Sequence, residues 1–456
     1  MSSIAAPSRT EAGPRERPAA KSDSVVAALR TGFGALILTA LLVTFSPFQP
    51  LSPATADSGN LVNQLGYGLL GALALLGHVL FTDRATAFAL LRPTWLVVAG
   101  WMLFSVTQSN WPDASLRAVL FSLFAMCAAT GAICLPPTAK AFRASLVFAA
   151  LAVLGLSYLG LVLWPDAAIH GATGDEPEHA GLWRGIYSHK NVAGPVMAAL
   201  FFAGLYLVRS GTKRAGWLVL VLSALFVLKT GSKTSAGLVP LVALLVIGGR
   251  ASGGRSLPCL ILAAAVAAMA ALTLGAAISP LLNDAVQFVL PGTTFTGRMD
   301  LWRYALDLMQ PRQWTGWGFE SFWTTPIVTD AERPFELSWD PGGAVNSHSG
   351  YLDVAIALGW PALIPVAAML LVLPMADYMR CREGEESQRL ADFFLMVLGF
   401  MLLNSFLESY LLKRNDPTWM LTFLSVVGLR LLARFRVVSG DEAATLQLKP
   451  AGAALP

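Results

Sequence analysis

The chain has 456 residues, of which 55% are hydrophobic and only 13% are charged. Because an average soluble domain is about one-quarter charged, this composition excludes an ordinary water-soluble enzyme and indicates that lipid is the main solvent. The formal net charge of +4 is small and gives no support to nucleic-acid binding. The four cysteines show neither a disulfide framework nor zinc-ligand spacing.

Residues 1–30 are rich in alanine, proline, serine and charge, and they lack apolar periodicity. This composition predicts a disordered cytoplasmic tail. The first apolar run extends from Phe33 to Phe48 and is followed by Ala54-Thr55-Ala56, which is also the pattern of a cleaved signal peptide. Cleavage would leave the rest of the topology unchanged.

Apolar runs of membrane-spanning length recur along the chain. A hydrocarbon core about 30 Å thick needs about 20 apolar residues per helix, and the runs are continuous rather than alternating as in barrel strands. The predicted spans are residues 31–50, 61–81, 93–109, 115–135, 145–164, 192–208, 215–229, 236–249, 257–280, 350–375, 391–411 and 417–433. The predicted fold is therefore an all-α polytopic membrane protein with about 12 transmembrane helices.

Lysine and arginine are distributed unevenly between alternate loops of this arrangement. One side holds 21 of the 32 cations, and cytoplasmic loops carry such an excess. The opposite, periplasmic side holds two long segments, residues 165–191 and 281–349. The second is too polar to span and too aromatic to be disordered, so we expect a large, partly helical periplasmic loop between helices 9 and 10.

These features divide the chain into five parts. They are a cytoplasmic tail (1–30), transmembrane helices 1–5 with an acidic periplasmic loop (31–180), a core that includes the periplasmic loop 281–349 (181–365), C-terminal transmembrane helices (366–435) and a second cytoplasmic tail (436–456).

Lysine and arginine are normally depleted from periplasmic loops, so the cations on this side require an explanation. Several lie beside glycines and hydroxyl residues, which let a backbone approach an oxyanion closely. Four of them, from three loops, predict a pocket for a multiply charged anion such as a lipid diphosphate: Arg184, Lys190, Lys233 and Arg298. Five others are interpreted as residues that snorkel to the membrane interface: Arg303, Arg312, Arg333, Lys413 and Arg414.

At these residues the sequence resembles the O-antigen ligase and polymerase superfamily. The segment Arg184-Gly185-Ile186-Tyr187-Ser188-His189-Lys190-Asn191 is similar to the family's Gly-x-x-x-His-x-Asn signature, and Ser232-Lys233-Thr234-Ser235 is similar to its Ser-[Arg/Lys]-[Thr/Gly] turn. A third segment runs from Gly297-Arg298 through Trp302 to Gly316-Trp317-Gly318-Phe319, and ends with Asn346-Ser347-His348-Ser349-Gly350-Tyr351-Leu352. The first two segments look closer to the exopolysaccharide-polymerase branch than to true O-antigen ligases.

The resemblance implies an inner-membrane glycosyltransferase that polymerises or ligates glycans at the periplasmic face. Its implied partners are an undecaprenyl-diphosphate-linked donor, a glycan acceptor, the lipid bilayer and polysaccharide export machinery, and no cofactor is implied. Whether the acceptor is a growing polymer or lipid A core stays open, as do the sugars and the linkage. A transporter of the same lipid-linked glycan and a peptidoglycan-type polymerase are alternatives.

The resemblance and the residue chemistry together predict roles. His348, at a helix start beside two serines, is the predicted base for the acceptor hydroxyl. His189 is the second candidate, with capping of the following helix as its alternative role. Arg184, Arg298 and Lys233 form the predicted diphosphate clamp, with Lys190 as a fourth member. Glycan contacts are predicted for Trp317, Trp323 and Glu320.

Metal binding is not predicted. His170 and His179 lie in an acidic stretch that allows either a metal site or a solvated loop, and the absence of recognisable ligand spacing favours the loop. The first periplasmic loop, about residues 51–60, offers Asp57 alone. One carboxylate is a poor site for a hard cation that prefers several oxygen ligands, so we expect metal-independent transfer. His78 lies in an apolar span, and a structural role is expected.

Overall fold

The protein is described by a computed structural model that covers residues 21–49, 61–172, 177–295, 297–332, 340–414, 416–435 and 437. Over these ranges the regular structure is helical, and a single antiparallel bridge joins Ile169 and Trp183. This confirms the predicted all-α class for the described part of the chain. The main helices are α1 (Lys21–Val43), α2 (Leu61–Phe81), α3 (Arg84–Leu90), α4 (Pro93–Val106), α5 (Pro112–Cys134), α6 (Ala139–Leu163), α7 (Pro165–Ala168), α8 (Lys190–Arg209), α9 (Lys213–Lys229), α10 (Lys233–Gly253), α11 (Ser256–Ile278), α12 (Pro280–Val289), α13 (Arg298–Met309), α14 (Pro326–Thr329), α15 (Gly350–Leu358), α16 (Trp360–Met379), α17 (Glu385–Asn404) and α18 (Pro417–Arg434).

The first helix is longer than the sequence predicts. It begins at Lys21, so residues 21–30, which were expected to belong to a disordered tail, continue the helix that enters the membrane. Residues 21–30 contain neither glycine nor proline, and therefore no residue stops the helix from extending beyond its apolar run. Residues 1–20 of the predicted tail lie outside the described residues, as does the C-terminal tail apart from Val437.

Within the described ranges, eight helices are long and apolar enough to cross a membrane: α1, α2, α5, α6, α8, α10, α11 and α16. The pair α3 and α4, bent by 54°, makes a ninth if it is one broken span. The protein is therefore a multi-pass membrane protein. Each predicted span overlaps a helix, but the span predicted at 350–375 is divided at Gly359 between α15 and α16, and the span predicted at 391–411 runs beyond the end of α17. Helices α9, α17 and α18 do not meet the same criteria, so the count of twelve stays a prediction.

Helices α17 and α18 form the centre of the bundle. Most of α17 is buried, including the charged residues Glu386 and Asp392, and α18 is buried over most of its length. Helix α8 packs antiparallel to α17, with the rings of Tyr206 and Phe393 stacked 5.5 Å apart. A helix surrounded by other helices can keep polar residues that lipid would not accept, which explains why α17 is less apolar than its neighbours.

Buried ion pairs gather at one end of the bundle, hereafter the cation-rich end. Asp377 of α16 pairs with Arg92, which precedes α4. Asp392 of α17 accepts from Arg209 at the end of α8 (2.9 Å) and from Arg250 in α10 (3.1 Å). All three arginines belong to the 21 cations that the sequence places on the cytoplasmic side, and the ion pairs bring them together at one end.

The opposite end, hereafter the loop end, carries the segment between α11 and α15. Its described part contains α12, α13 and α14, and therefore is partly helical as predicted. A second hydrophobic core, separate from that of the bundle, includes Val286, Trp302, Phe322, Leu352 and Ile356. Trp302 is completely buried. This core explains how a segment too polar to span the membrane still folds against α15.

Candidate active site at the loop end

His348 lies in a hydrogen-bonded turn that precedes α15. Its backbone N–H donates to Asn346 Oδ1 (2.9 Å), the N–H of Ser347 donates to Asp353 Oδ1 (3.1 Å), and the indole of Trp302 donates to the carbonyl of Ser347 (2.9 Å). The φ of His348 is +52°, a left-handed conformation that costs free energy for a residue other than glycine. The surrounding bonds hold the backbone in this conformation and set the direction in which the His348 side chain leaves it.

A glutamate that the sequence analysis did not identify joins two predicted site residues. Glu408, which follows α17, accepts from Arg298 Nη2 through Oε1 at 2.9 Å. Its other oxygen, Oε2, lies 3.6 Å from His348 Nδ1. This distance is longer than a hydrogen bond, but a negative charge beside Nδ1 favours the tautomer in which that nitrogen carries hydrogen, which leaves Nε2 as the basic nitrogen. The structure therefore brings Arg298 and His348 together around one carboxylate.

Several buried polar atoms near this carboxylate have no hydrogen-bond partner. They are His348 Nδ1, Ser349 Oγ, Asp353 Oδ2, Asn404 Oδ1 and Ser409 Oγ. Their two segments meet where the N–H of Gly350 donates to the carbonyls of Ser405 and Glu408. Most buried polar groups in proteins are hydrogen-bonded. Their concentration here indicates a place where water or a polar ligand completes the hydrogen bonding.

Arg184, Lys190 and Lys233 belong to a second group of segments at the loop end. The Arg184 guanidinium donates to the carbonyls of Ser188 and Asp166, each at 3.1 Å, and its burial lowers its pKa. The N–H of the adjacent Trp183 donates to the Lys229 carbonyl (3.0 Å), which draws this loop to the turn before α10.

Lys190 and Lys233 each begin a helix, and the two helix starts are in contact. Gly194, the fifth residue of α8, packs so closely that an added Cβ would lie 2.8 Å from Ser235 Oγ in the first turn of α10. The four predicted cations thus occupy two groups, Arg298 beside His348 and the other three on adjoining segments. Their convergence on one ligand stays a prediction.

The segment between α17 and α18, to which the sequence gives no catalytic role, contributes Glu408 and Arg414 to contacts with predicted site residues. Burial and the charge of Asp416, the residue before α18, raise the pKa of the Tyr187 phenol in the loop of the second group. Arg414 pairs with Glu320 at 3.2 Å. Arg414 was expected only to snorkel, and Glu320 to contact glycan; the structure pairs them with each other.

His170, His179 and His189 form a cluster of rings, with centroids 4.9 to 5.6 Å apart. The sequence favours a solvated loop for His170 and His179, whereas the structure packs both rings against His189, which is 9% exposed. Ligand spacing could not reveal this cluster, because the three residues come from separate segments. Their nitrogens approach within 4.8 Å of one another, so the cluster has the size of a metal site.

Hydrogen bonds at this cluster act against metal ligation. The N–H of Lys190 donates to His170 Nε2 and the N–H of Asn191 donates to His189 Nδ1, both at 3.1 Å. A neutral imidazole has one lone pair and one N–H, so the remaining nitrogen of each of these rings carries hydrogen. The bond to Asn191 also shows that His189 caps α8, its predicted alternative role.

The two predicted glycan-binding tryptophans have different surroundings. Trp323 donates from Nε1 to Asp353 Oδ1 (2.9 Å), so it lies directly beside the His348 turn. Trp317 donates to the Leu308 carbonyl (3.2 Å), and the Arg312 guanidinium covers its ring at 4.5 Å. Arg312, expected to snorkel, therefore packs on an aromatic ring. Of the two indoles, Trp323 has the position closer to the candidate base.

His78, predicted to be structural, is hydrogen-bonded through both nitrogens, to Thr82 and Thr130 at 2.8 Å each.

Comparison with known families concerns the central part of the chain. Residues 198–367 match the family model described as O-Antigen ligase, and no curated protein gives a significant match. The matched range contains Lys233, Arg298 and His348, begins after the His189 segment and ends before Glu408. The predicted relation to the O-antigen ligase and polymerase superfamily is confirmed, whereas closeness to the exopolysaccharide-polymerase branch stays a prediction.

Proposed function

Since residues 198–367 belong to the O-antigen ligase family, we propose that the chain is an inner-membrane glycosyltransferase that acts on undecaprenyl-diphosphate-linked glycan. In this proposal the cation-rich end faces the cytoplasm and the loop end faces the periplasm, in keeping with the positive-inside rule. The observation that carries the proposal is Glu408, which joins Arg298 to His348 at the loop end.

The proposed reaction is attack by an acceptor sugar hydroxyl on the anomeric carbon of the donor. His348 Nε2 takes the hydroxyl proton, the new C–O bond forms, and the bond from the anomeric carbon to the diphosphate oxygen breaks. The electron pair leaves with the lipid diphosphate. Because this leaving group is a weak base, the reaction needs charge stabilisation more than general-acid help.

Arg298 is the cation best placed to supply that stabilisation beside the base. Only one of its Nη atoms contacts Glu408, so other N–H groups of the guanidinium remain to bind a phosphate oxygen. Arg184, Lys190 and Lys233 are proposed to complete the diphosphate clamp from the adjoining segments. His189 is proposed to position the start of α8 and with it Lys190.

Glycan contacts are proposed for Trp323, Trp317 and Glu320, with Trp323 placed next to the His348 turn through Asp353. No cofactor is needed for this chemistry. We propose that transfer is metal-independent, since two of the three clustered histidines use a ring lone pair to accept a backbone hydrogen bond. Asp57, the carboxylate of the first loop, lies outside the described residues.

The acceptor distinguishes two versions of the proposal. Transfer to a growing glycan makes the protein an exopolysaccharide or O-antigen polymerase, and the form Ser188-His189-Lys190-Asn191 with Ser232-Lys233-Thr234 favours this version. Transfer to lipid A core makes it a ligase. Purified protein incubated with each acceptor and the same lipid-linked donor separates the two. Association with polysaccharide export machinery is part of the polymerase version.

The test of the function is glycosidic-bond formation by purified protein with lipid-linked repeat units. We expect the parent protein to form the bond and both Arg298→Ala and His348→Ala to lose it. Parent-level rates in both variants would contradict the site. Movement of the lipid-linked glycan across vesicles without bond formation would favour a transporter instead.

A further inference from the structure

A groove at the loop end lies outside the site formed by Arg298, Glu408 and His348. It has a volume of about 440 Å³ and opens between the end of α11, one face of α13 and the start of α16. Its polar lining comes from Arg303, Asp307, Gln310, Gln313 and Trp360. A cavity of several hundred Å³ is of the size that small ligands occupy.

The first three of these residues are arranged on one helix face. Arg303 and Asp307 of α13 and Gln310, the residue directly after its end, follow one another at spacings of four and three residues, so they form a row. All three are exposed. The helix therefore presents a guanidinium, a carboxylate and a carboxamide side by side, which together donate and accept hydrogen bonds.

Trp360 forms the opposite wall. Its backbone N–H donates to the Gln313 carbonyl (2.9 Å), which fixes the start of α16 next to the second carboxamide. The indole is partly exposed and offers an apolar surface. A sugar ring has an apolar face and a rim of hydroxyls, and therefore fits between an indole and a row of amide and charged groups.

The charge of the groove separates it from the diphosphate site. The charged side chains that line the groove are one cation, Arg303, and one anion, Asp307, so their net charge is zero. The predicted clamp, in contrast, consists of four cations. An uncharged, hydroxyl-rich ligand suits the groove better than a phosphate does. The polar row on α13 also makes it a poor site for a lipid chain.

We propose that this groove binds sugar units of the substrate glycan that lie away from the reacting bond. The inference rests on the proposed function. Arg298 is the first residue of α13 and Asp307 follows nine residues later, which places them about 14 Å apart along the helix axis. A sugar in the groove is therefore not the sugar at the reacting carbon, and its binding raises kcat/KM only for glycans long enough to reach it.

The test compares lipid-linked substrates that carry one repeat unit with substrates that carry several. We expect the parent protein to prefer the longer substrates. Trp360→Ala and Asp307→Asn are expected to reduce that preference about tenfold, the effect of one lost stacking or hydrogen-bonding contact, while kcat/KM for the shortest substrate is retained. Trp314→Ala and Asp284→Asn are matched controls, because both residues are exposed at the loop end outside the groove.

A binding measurement separates failure of the groove from failure of the enzyme. Oligosaccharides released from the lipid-linked substrate by mild acid serve as the probe, and saturation-transfer NMR detects their contact with the full-length protein in detergent. We expect binding in the parent and in His348→Ala, and its loss in Trp360→Ala.

Binding that persists in Trp360→Ala overturns the groove proposal, and so does a parent protein without length preference. Equal losses on short and long substrates in the groove variants would also overturn it, since they indicate a structural defect. A parent that binds oligosaccharide through Trp360 but forms no glycosidic bond contradicts the proposed enzyme and leaves the groove supported.

Discussion

His348 Nδ1 and Glu408 Oε2 lie 3.6 Å apart, and the other oxygen of the same carboxylate binds Arg298 at 2.9 Å. Glu408 is thus placed to orient the base and the cation together. We predict that Glu408→Gln lowers the rate of glycan transfer about 100-fold, within the range of one general-base contribution, without loss of folded protein. Glu385→Gln at the cation-rich end, where the side chain is 82% exposed, is the control. Equal rates in the two variants would show that Glu408 has no positioning role.

Trp302 connects the second hydrophobic core to the His348 turn. Trp302→Phe retains most of the buried ring but removes the hydrogen bond to the Ser347 carbonyl, at a cost of about 1 kcal/mol. We expect a lower kcat with little change in KM, because the turn that holds His348 loses one of its fixed points. Steady-state kinetics of the purified variant check this expectation. A normal kcat would mean that the remaining bonds of the turn suffice.

Asp392 is a buried carboxylate shared by two arginines, Arg209 and Arg250. Asp392→Ala leaves both guanidinium groups without this partner, and breaking such a pair costs about 3 kcal/mol. We expect a clear drop in the thermal unfolding temperature in detergent. Glu385→Ala, which removes an exposed carboxylate of the same helix, should leave it nearly unchanged. Similar unfolding temperatures for the two variants would contradict the structural role of Asp392.

The histidine cluster tests the metal prediction. Because His170 and His189 accept backbone hydrogen bonds, we expect purified protein to contain no stoichiometric metal by plasma mass spectrometry and to keep its activity in a chelator. Loss of activity restored by magnesium would refute metal-independent transfer. One equivalent of zinc that disappears in His179→Ala would show instead that the cluster is a metal site.

Cysteine labelling tests the orientation of the bundle. Cys381 lies between α16 and α17, and burial raises the pKa of its thiol to about 11, so the thiol stays protonated at neutral pH and is expected to resist maleimide in folded protein. Glu383→Cys and Trp314→Cys in a Cys381→Ser background introduce exposed thiols at the two ends. In intact cells an impermeant maleimide should label only Trp314→Cys. Labelling of Glu383→Cys alone would show that the protein has the opposite orientation to the proposed one.

The sequence predicted the helices well, and it identified Arg298 and His348 but not Glu408, the residue at which they meet. Continuous apolar runs locate spans directly, because lipid demands them, and each predicted span overlaps a helix, although 350–375 is divided between α15 and α16. The sequence did not predict that α1 begins at Lys21, because an apolar run shows which residues lie in the membrane and not where the helix begins.

Arg298 and His348 could be identified because their positions are unusual. Arg298 is a cation on the predicted periplasmic side, and His348 is a histidine beside two serines at a predicted helix start. Glu408 carries no such signal, since it lies sixty residues from His348 and meets it only through the packing of α15 against the end of α17. The histidine cluster was missed for the same reason, as its members share no short motif.

The most direct test of the central account is the rate of glycosidic-bond formation by purified His348→Gly protein with a lipid-linked donor, with and without added imidazole. We predict a loss of about 10² to 10⁴-fold and partial recovery with imidazole, which can replace the missing base in the space beside Glu408. A His348→Gly variant that transfers glycan at the parent rate would contradict the assignment of His348 as the base.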